Sequence, residues 1–171
     1  MKRTAKSSTT ATDSTQTVVK NLTKRLRLDF PDITFAAGEQ FFWSPADRTV
    51  FYSTKKESIT AAWALLHELS HALLGHAHYK TDFELLQMEV AAWHHAEGLS
   101  ANYNLAINPD HVQDCLDTYR DWLHARSQCP ACTEHGLQTN STTYECLNCH
   151  TQWHVSSARF CRPYRMTSIK K

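Results

Sequence analysis

The pentapeptide His67-Glu68-Leu69-Ser70-His71 has residue types and a spacing that suit metal-dependent hydrolysis. Residues four apart lie on the same face of a helix, so His67 and His71 can direct imidazole nitrogens at one metal ion. Glu68 lies beside them, close enough to take a proton from a metal-bound water. This HExxH arrangement is typical of zinc hydrolases. The alternative is a helix that carries two histidines on its polar face.

A helix must hold these side chains in place, and the flanking sequence predicts one. Thr54 and Glu57 have the spacing of a capping box, and Gly75 is a suitable C-terminal stop. Between these signals the apolar residues follow helical spacing, at Ile59, Ala62, Trp63, Leu65, Leu66, Leu69, Leu73 and Leu74.

Two histidines are too few ligands, because a catalytic zinc usually has three protein ligands and an open position. We expect the third ligand to be Glu89 on the next predicted helix, which Asp82 can cap. That helix is largely apolar, and a carboxylate in such surroundings is costly unless a cation compensates it. Glu84 is the second candidate, although it faces elsewhere, and a surface position for Glu89 is the alternative. His94 and His95 are reserve ligands.

The residues around both motifs resemble the ImmA/IrrE family of metallopeptidases. Members carry HExxH, a Gly-His shortly after it, and a Glu-Ala-x-x-aromatic element whose Glu is the third zinc ligand. In this chain Gly75 and His76 follow the pentapeptide, and the second element begins at Glu89 and ends at Trp93. Val90 replaces the usual Ala.

This resemblance covers residues 30–105. It implies a cytoplasmic gluzincin-like peptidase that acts on protein substrates, often a transcriptional regulator. Many members carry a helix-turn-helix segment, which we do not identify in this sequence.

Two CxxC pairs form a second metal-binding pattern. Cys129 and Cys132 are followed, after thirteen intervening residues, by Cys146 and Cys149. Four thiolates at this spacing suit a closed, structural zinc, as in a zinc ribbon. Disulfides are the alternative, and we favour zinc because the sequence shows no feature of export. Two further cysteines, Cys115 and Cys161, fall outside the pattern.

The order of an HExxH helix and a zinc ribbon also resembles the SprT-like proteases, which cleave proteins attached to DNA. Their third ligand is a downstream His, so the residues around Glu89 match the ImmA/IrrE pattern better. We keep the SprT-like proteases as the second family resemblance.

The remaining segments predict the elements that surround the motifs. Residues 17–28 have the pattern of an amphipathic helix, and residues 33–37 that of a strand. Residues 41–43 and 49–52 flank a turn and predict a hairpin, and Asn108-Pro109 begins a further helix that ends near residue 126. The hairpin is either a platform that binds an extended peptide at the sheet edge or part of an ordinary core sheet.

These elements predict an α+β fold, with a zincin-like minimal metallopeptidase domain of a small β-sheet and helices, followed by a zinc ribbon. The predicted domains are a disordered tail over 1–16, the peptidase domain over 17–126, the ribbon over 127–165 and a basic tail over 166–171.

Length and composition bound this prediction. The chain has 171 residues and a formal net charge of +1, so its overall charge does not indicate a nucleic-acid-binding protein. No apolar run approaches the length of a membrane span, and we expect a cytoplasmic protein without a membrane partner.

The predicted activity is hydrolysis of peptide bonds by a zinc-activated water, with zinc at His67, His71 and Glu89 and with Glu68 as the general base. A second, structural zinc is expected at the four ribbon cysteines. The donor that stabilises the transition state is left open among His76, Tyr79, His94 and Tyr103. His76 is also a candidate for orienting a metal ligand.

A non-catalytic alternative remains open from sequence. In it, the chain is a zinc-stabilised module that binds DNA or a regulator, or the HExxH site is a vestigial metal site. The expected partners are a protein substrate and, through the ribbon and the basic end of the chain, DNA or a DNA-bound regulator.

Overall fold

A computed structural model describes residues 18–156 and the backbone of a strand at 165–167. Its elements are α1 (Val18–Asp29), β1 (Thr34–Gly38), β2 (Phe42–Ser44), β3 (Thr49–Ser53), α2 (Ile59–Leu73), α3 (Asp82–Ser100), a 3-10 turn (Ala101–Tyr103), α4 (Pro109–Ser127), β4 (Gly136–Asn140), β5 (Thr143–Cys146), β6 (Gln152–Val155) and β7 (Arg165–Thr167). Within these residues the chain has four α-helices and two small sheets, which confirms the α+β class. The predicted disordered tail, Cys161 and most of the basic tail lie outside the described residues.

The described chain divides into two units. The first comprises residues 18–77 and 92–107, and the second comprises 78–91 and 108–156 with the strand at 165–167. Among the described residues, no helix has the combined length and apolar character needed to cross a membrane. The predicted domain boundaries stay predictions.

The first unit contains a three-stranded sheet of order β1-β3-β2, with β1 parallel and β2 antiparallel to β3. The predicted hairpin is therefore present, and β2 lies at an edge of this sheet. The buried core comprises Val19, Leu22, Leu26, Phe35, Val50, Ala61, Ala62, Leu65, Leu66, Leu69, Ala96 and Tyr103. Its residues come from α1, α2, α3, the 3-10 turn and the strands, and the apolar periodicity of α1 and α2 predicts which of their faces is buried.

Helix α2 begins later than the capping-box pattern predicts. Ser58 caps it, accepting a 3.1 Å hydrogen bond from the Ala61 N–H. Glu57 instead accepts the Val19 N–H at 2.9 Å, so its carboxylate satisfies a donor at the start of α1. The predicted cap at Thr54 is wrong because that carboxylate has a long-range partner that local spacing does not reveal.

The end of α2 agrees with the prediction. Gly75 has φ of +68°, the left-handed conformation that a residue without a Cβ adopts at least cost. Its N–H donates to Ala72 O at 3.2 Å, and the His76 N–H donates to His71 O at 3.0 Å. These two bonds form a Schellman motif, which turns the chain back over the last turn of α2.

The second unit contains α4 and an antiparallel sheet of order β4-β5-β6-β7. Among its described residues, the buried core comprises Cys129, Tyr144, Cys146, Trp153 and Val155. Gly136 is required for this packing, because a Cβ there would lie 2.5 Å from both Glu145 O and an atom of the Trp153 ring.

A buried ion pair links three elements of the second unit. Arg126, at the end of α4, places its Nε 2.6 Å from the Asp82 carboxylate at the start of α3. The Tyr144 hydroxyl donates to the same carboxylate at 2.6 Å, and the Trp153 indole N–H donates to Arg126 O at 2.9 Å. Thr81, whose hydroxyl accepts the Glu84 N–H at 3.1 Å, caps α3 in place of the predicted Asp82.

Candidate metal centres

His67 and His71 lie one turn apart on α2 and are both buried. Their Nε2 atoms are 3.1 Å apart, and their rings meet edge to face at 90°. Two nitrogens bound to one tetrahedral ion at about 2.0–2.1 Å lie about 3.3 Å from each other. The two imidazoles are thus close enough together to bind a single metal ion.

Glu89 completes a group of three potential ligands. It lies on α3 one turn before Trp93, whose ring stacks on His67 with centroids 4.2 Å apart. Ligand atoms of Glu89, His67 and His71 all lie within 4.8 Å of one another, and Glu89 is only 5% exposed. A buried carboxylate is costly without a compensating cation. We call these three residues the histidine site.

His76 orients one member of this site. The Schellman motif at Gly75 brings its ring over His71, and the Nδ1 atoms of the two rings are 2.9 Å apart. A hydrogen bond at that distance requires one Nδ1 to carry a proton. When His71 is the donor, the lone pair of its Nε2 is left for a metal, the arrangement usual for a ligating histidine.

The Glu68 carboxylate lies against the first sheet. Its Oε2 accepts the backbone N–H of Trp43 in the edge strand β2, at 2.8 Å. The Trp43 indole N–H donates to His76 O, also at 2.8 Å. Trp43 therefore fixes both the proposed base and the turn that carries His76. The sequence predicts Trp43 only as part of the hairpin, because both of its hydrogen bonds join residues more than twenty positions apart.

The other residues considered from sequence have different surroundings. The Tyr103 hydroxyl donates to Asp29 at 2.8 Å, and burial together with this bond raises the pKa of Tyr103 to about 12. Glu84 accepts the Lys80 N–H at 2.7 Å, and His95 Nδ1 lies 3.0 Å from the Ser70 hydroxyl. The side chains of Tyr79 and His94 are exposed. Among the candidates named from sequence for the transition-state donor, only His76 has a described hydrogen bond with a candidate metal ligand, His71.

The four cysteines of the CxxC pairs form the cysteine site. Sγ of Cys129 lies 3.6 Å from Sγ of Cys149, and Sγ of Cys132 lies 3.5 Å from Sγ of Cys146. A disulfide bond is about 2.05 Å long, whereas sulfurs bound at 2.3 Å to one tetrahedral ion are about 3.8 Å apart. All four cysteines are free, and their arrangement could hold a metal ion.

The two CxxC pairs of the cysteine site have the same pattern of backbone hydrogen bonds. The N–H groups of Cys129 and Cys146 donate to the carbonyl oxygens five residues later, and the N–H groups of Thr133 and His150 donate back to Cys129 and Cys146. Thr133 and His150, each the residue after a CxxC pair, share positive φ values of 65° and 56°. Two equivalent turns thus present two thiols each.

The chemistry of the thiols agrees with this geometry. Hydrogen bonds with the Thr151 side chain and backbone lower the pKa of the Cys149 thiol to about 6. The Ala131 N–H points at Cys129 Sγ, 3.4 Å away. The lowered pKa favours the thiolate of Cys149, which is the form that binds a metal.

No protein-family model, curated protein or solved structure matches this chain. The two candidate sites are therefore defined by their own residues and geometry.

Proposed function

We propose that this protein is a zinc-dependent peptidase, with its catalytic zinc at the histidine site and a structural zinc at the cysteine site. The observation that carries the proposal is the convergence of two imidazole Nε2 atoms and a buried carboxylate, with Glu68 beside them on α2. The resemblance to the ImmA/IrrE family supports the same ligand set. In this proposal the first unit is the main part of a zincin-like domain, and the second sheet with its cysteines is a zinc ribbon.

The ligand types favour zinc at both positions. Two histidines and one glutamate leave a fourth tetrahedral position for water or substrate, as catalytic zinc sites require. Four thiolates complete the coordination of a zinc ion and leave no such position. Hydrolysis is therefore expected at the histidine site alone.

The residues around the histidine site would have separate roles in peptide hydrolysis. Zinc held there would supply Lewis acidity, which acidifies water and polarises the peptide carbonyl. Glu68 would take the proton from the attacking water and pass it to the leaving amine. Because the Trp43 N–H engages Oε2, the Glu68 carboxylate is held in one orientation with Oε1 left to accept that proton.

The position of β2 supports an extended peptide as the substrate. This strand is at the edge of its sheet, and the Trp43 N–H points away from β3 toward Glu68. A peptide that pairs with such an edge is held by backbone hydrogen bonds, with its carbonyl groups beside the carboxylate. A protein substrate, such as the transcriptional regulator that the family resemblance implies, would have to offer a segment without regular structure.

The test is the substitution Glu68→Gln, which keeps the size of the side chain and removes its basicity. Wild-type and variant protein should each hold two zinc ions per chain by elemental analysis. Cleavage of a fluorogenic peptide library should fall by about a hundredfold or more, the usual contribution of a general base.

Glu97→Gln is the matched control, because Glu97 lies on α3 outside both sites and the variant should retain wild-type cleavage. A Glu68→Gln protein as active as wild type would contradict the mechanism. One zinc ion per wild-type chain, lost when Cys129 is replaced, would leave the histidine site without metal and contradict the peptidase assignment.

A further inference from the structure

A cavity of about 500 Å³ lies in the first unit, beside the C-terminal end of α2. Its wall includes Phe30 and Ile33 from the segment between α1 and β1, Trp43 from β2, and Ala72, Leu73 and His76 from the end of α2. We call this cavity the side pocket. Its volume lies within the range of about 300–1,000 Å³ that is usual for pockets that bind small ligands.

The side pocket adjoins the proposed catalytic groups through two of its own wall residues. Trp43 lines the pocket and holds the Glu68 carboxylate through its backbone N–H, 2.8 Å from Oε2. His76 lines the pocket and contacts the ring of His71, 2.9 Å between Nδ1 atoms. If a substrate peptide bond is positioned at Glu68 and His71, the substrate side chain next to that bond can therefore reach the pocket.

The wall chemistry favours an apolar occupant. Most lining residues are apolar, and Leu73 is 38% exposed although it faces a concave surface. The charged lining residues are Asp29, which already accepts the Tyr103 hydroxyl, and Asp32 and Arg48, which are both exposed to solvent. Burial of a large aliphatic or aromatic side chain against such a wall is favourable because it removes apolar surface of both partners from water.

We propose that the side pocket is a specificity pocket that binds a large apolar side chain, such as leucine or phenylalanine, next to the scissile bond of a peptide substrate. This inference rests on the proposed peptidase function. It narrows the substrate class to segments that carry a bulky apolar residue beside the cleaved bond.

The test measures binding, so it does not depend on turnover. Two series of hydroxamates are titrated into the zinc-loaded full chain by calorimetry: acetyl-amino-acid hydroxamates and 2-substituted succinyl hydroxamates. Together they place a side chain on either side of the metal-binding group. Each series compares an isobutyl, a hydrogen and a carboxymethyl substituent.

In at least one series the isobutyl compound should bind about tenfold or more tightly than the unsubstituted compound, since apolar pockets discriminate at least that well between side chains. Leu73→Arg should remove this advantage and improve binding of the carboxymethyl compound, because it replaces an apolar wall residue with a second cation beside Arg48. Leu74→Arg is the matched control: Leu74 is 41% exposed, adjacent in sequence and not part of the pocket wall, so the preference should persist.

The outcomes separate the two proposals. If hydroxamates bind with no side-chain preference, or with a preference that Leu73→Arg leaves unchanged, the side pocket is not a specificity pocket. Such binding would still support an open metal site. Failure of every hydroxamate to bind the zinc-loaded wild type would overturn the proposed function, and the side pocket with it.

Discussion

The cysteine site and the histidine site differ in what surrounds their ligands. The cysteine site consists of two equivalent turns, each with the same backbone hydrogen bonds, and all four ligands are thiols. The histidine site has three ligands of two kinds, and Glu68, His76 and Trp43 are arranged around α2 beside it. A complete ligand set with few functional neighbours suits a structural ion, whereas an incomplete set beside a carboxylate suits chemistry.

The buried cores of the two units also differ in whether they contain candidate metal ligands. The first unit buries apolar side chains from α1, α2, α3 and the sheet, none of which is a candidate metal ligand. Among the residues that the structure describes, the buried core around the cysteine site has five members, and two of them, Cys129 and Cys146, are candidate ligands. So small an apolar core rarely stabilises a fold alone, and a bound metal commonly supplies the difference. We therefore expect metal to be a structural requirement in the second unit only.

The largest predicted effect follows from removing a cysteine ligand. Cys129→Ser should lower the zinc content by one ion per chain and unfold the sheet β4–β7, since structural zinc supplies about 10 kcal/mol or more of folding free energy in small modules. Amide hydrogen exchange should lose protection in β4–β6 and keep it in α2. Cys115→Ser, outside both sites, should change neither quantity. Retained protection in β4–β6 of Cys129→Ser would show that the comparison of the cores is wrong.

The next effect concerns the ion pair of the second unit. Arg126→Ala leaves the Asp82 carboxylate buried without its cation, which should destabilise the unit by about 3–5 kcal/mol. Arg120→Ala is the matched control, because its pair with Asp117 is at the surface and should contribute less than about 1 kcal/mol. Urea unfolding of the zinc-loaded proteins measures both. Equal losses for the two variants would mean that Asp82 finds another partner.

A smaller effect is expected at the histidine site, from the residue that orients a ligand. His76→Ala removes the partner of His71 Nδ1 and should weaken metal binding there by about 10–100-fold, as for other groups that orient metal ligands. The metal affinity of the cysteine site should be unaffected. His78→Ala, an exposed histidine two residues away, should leave the affinity unchanged. Competition with a fluorescent chelator measures the metal affinity of the histidine site. Equal affinities of the two variants would show that His76 does not orient His71 for metal binding.

Sequence predicted best the features that local spacing determines. The pair His67 and His71 follows from the helical period, and the CxxC turns follow from four-residue spacing, so their geometry needs little from the rest of the chain. Glu89 can be predicted as a ligand because a carboxylate on a largely apolar helix requires a compensating positive charge. The class of the fold followed from the apolar periodicity of its helices and the turn between β2 and β3.

Long-range polar contacts were not predictable in this way. Asp82 has the type and position of a helix cap, yet its carboxylate accepts bonds from Arg126 and Tyr144, 44 and 62 residues away. Trp43 likewise meets Glu68 and His76 only because β2 lies against the end of α2. Composition and period carry no information on such pairs, since any buried carboxylate could be satisfied by many donors.

The smallest predicted effect compares two tyrosines, one in each unit. Tyr103 donates to Asp29 and Tyr144 donates to Asp82, and burial followed by the carboxylate bond raises the pKa of both hydroxyls. The unfolded chain loses the Tyr103 proton near pH 10, its ordinary value, whereas the folded chain keeps it until about pH 12. Between these values the unfolded state binds fewer protons, so stability falls as pH rises.

Tyr103→Phe isolates this contribution, because the falling stability due to Tyr144 is common to both proteins. At pH 7 the variant should be less stable by about 1 kcal/mol, the net value of one hydrogen bond. The difference should shrink as pH rises from 10 to 12. By pH 11 the free energy of unfolding should have fallen by less than about 1 kcal/mol more in wild type than in the variant, after allowance for solvent screening at the exposed Asp29. Urea midpoints at pH 7, 10 and 11 measure it. A gap that stays constant over this range would mean that the Tyr103 proton is not held by Asp29, and the hydroxyl would again be a candidate for the reaction at the histidine site.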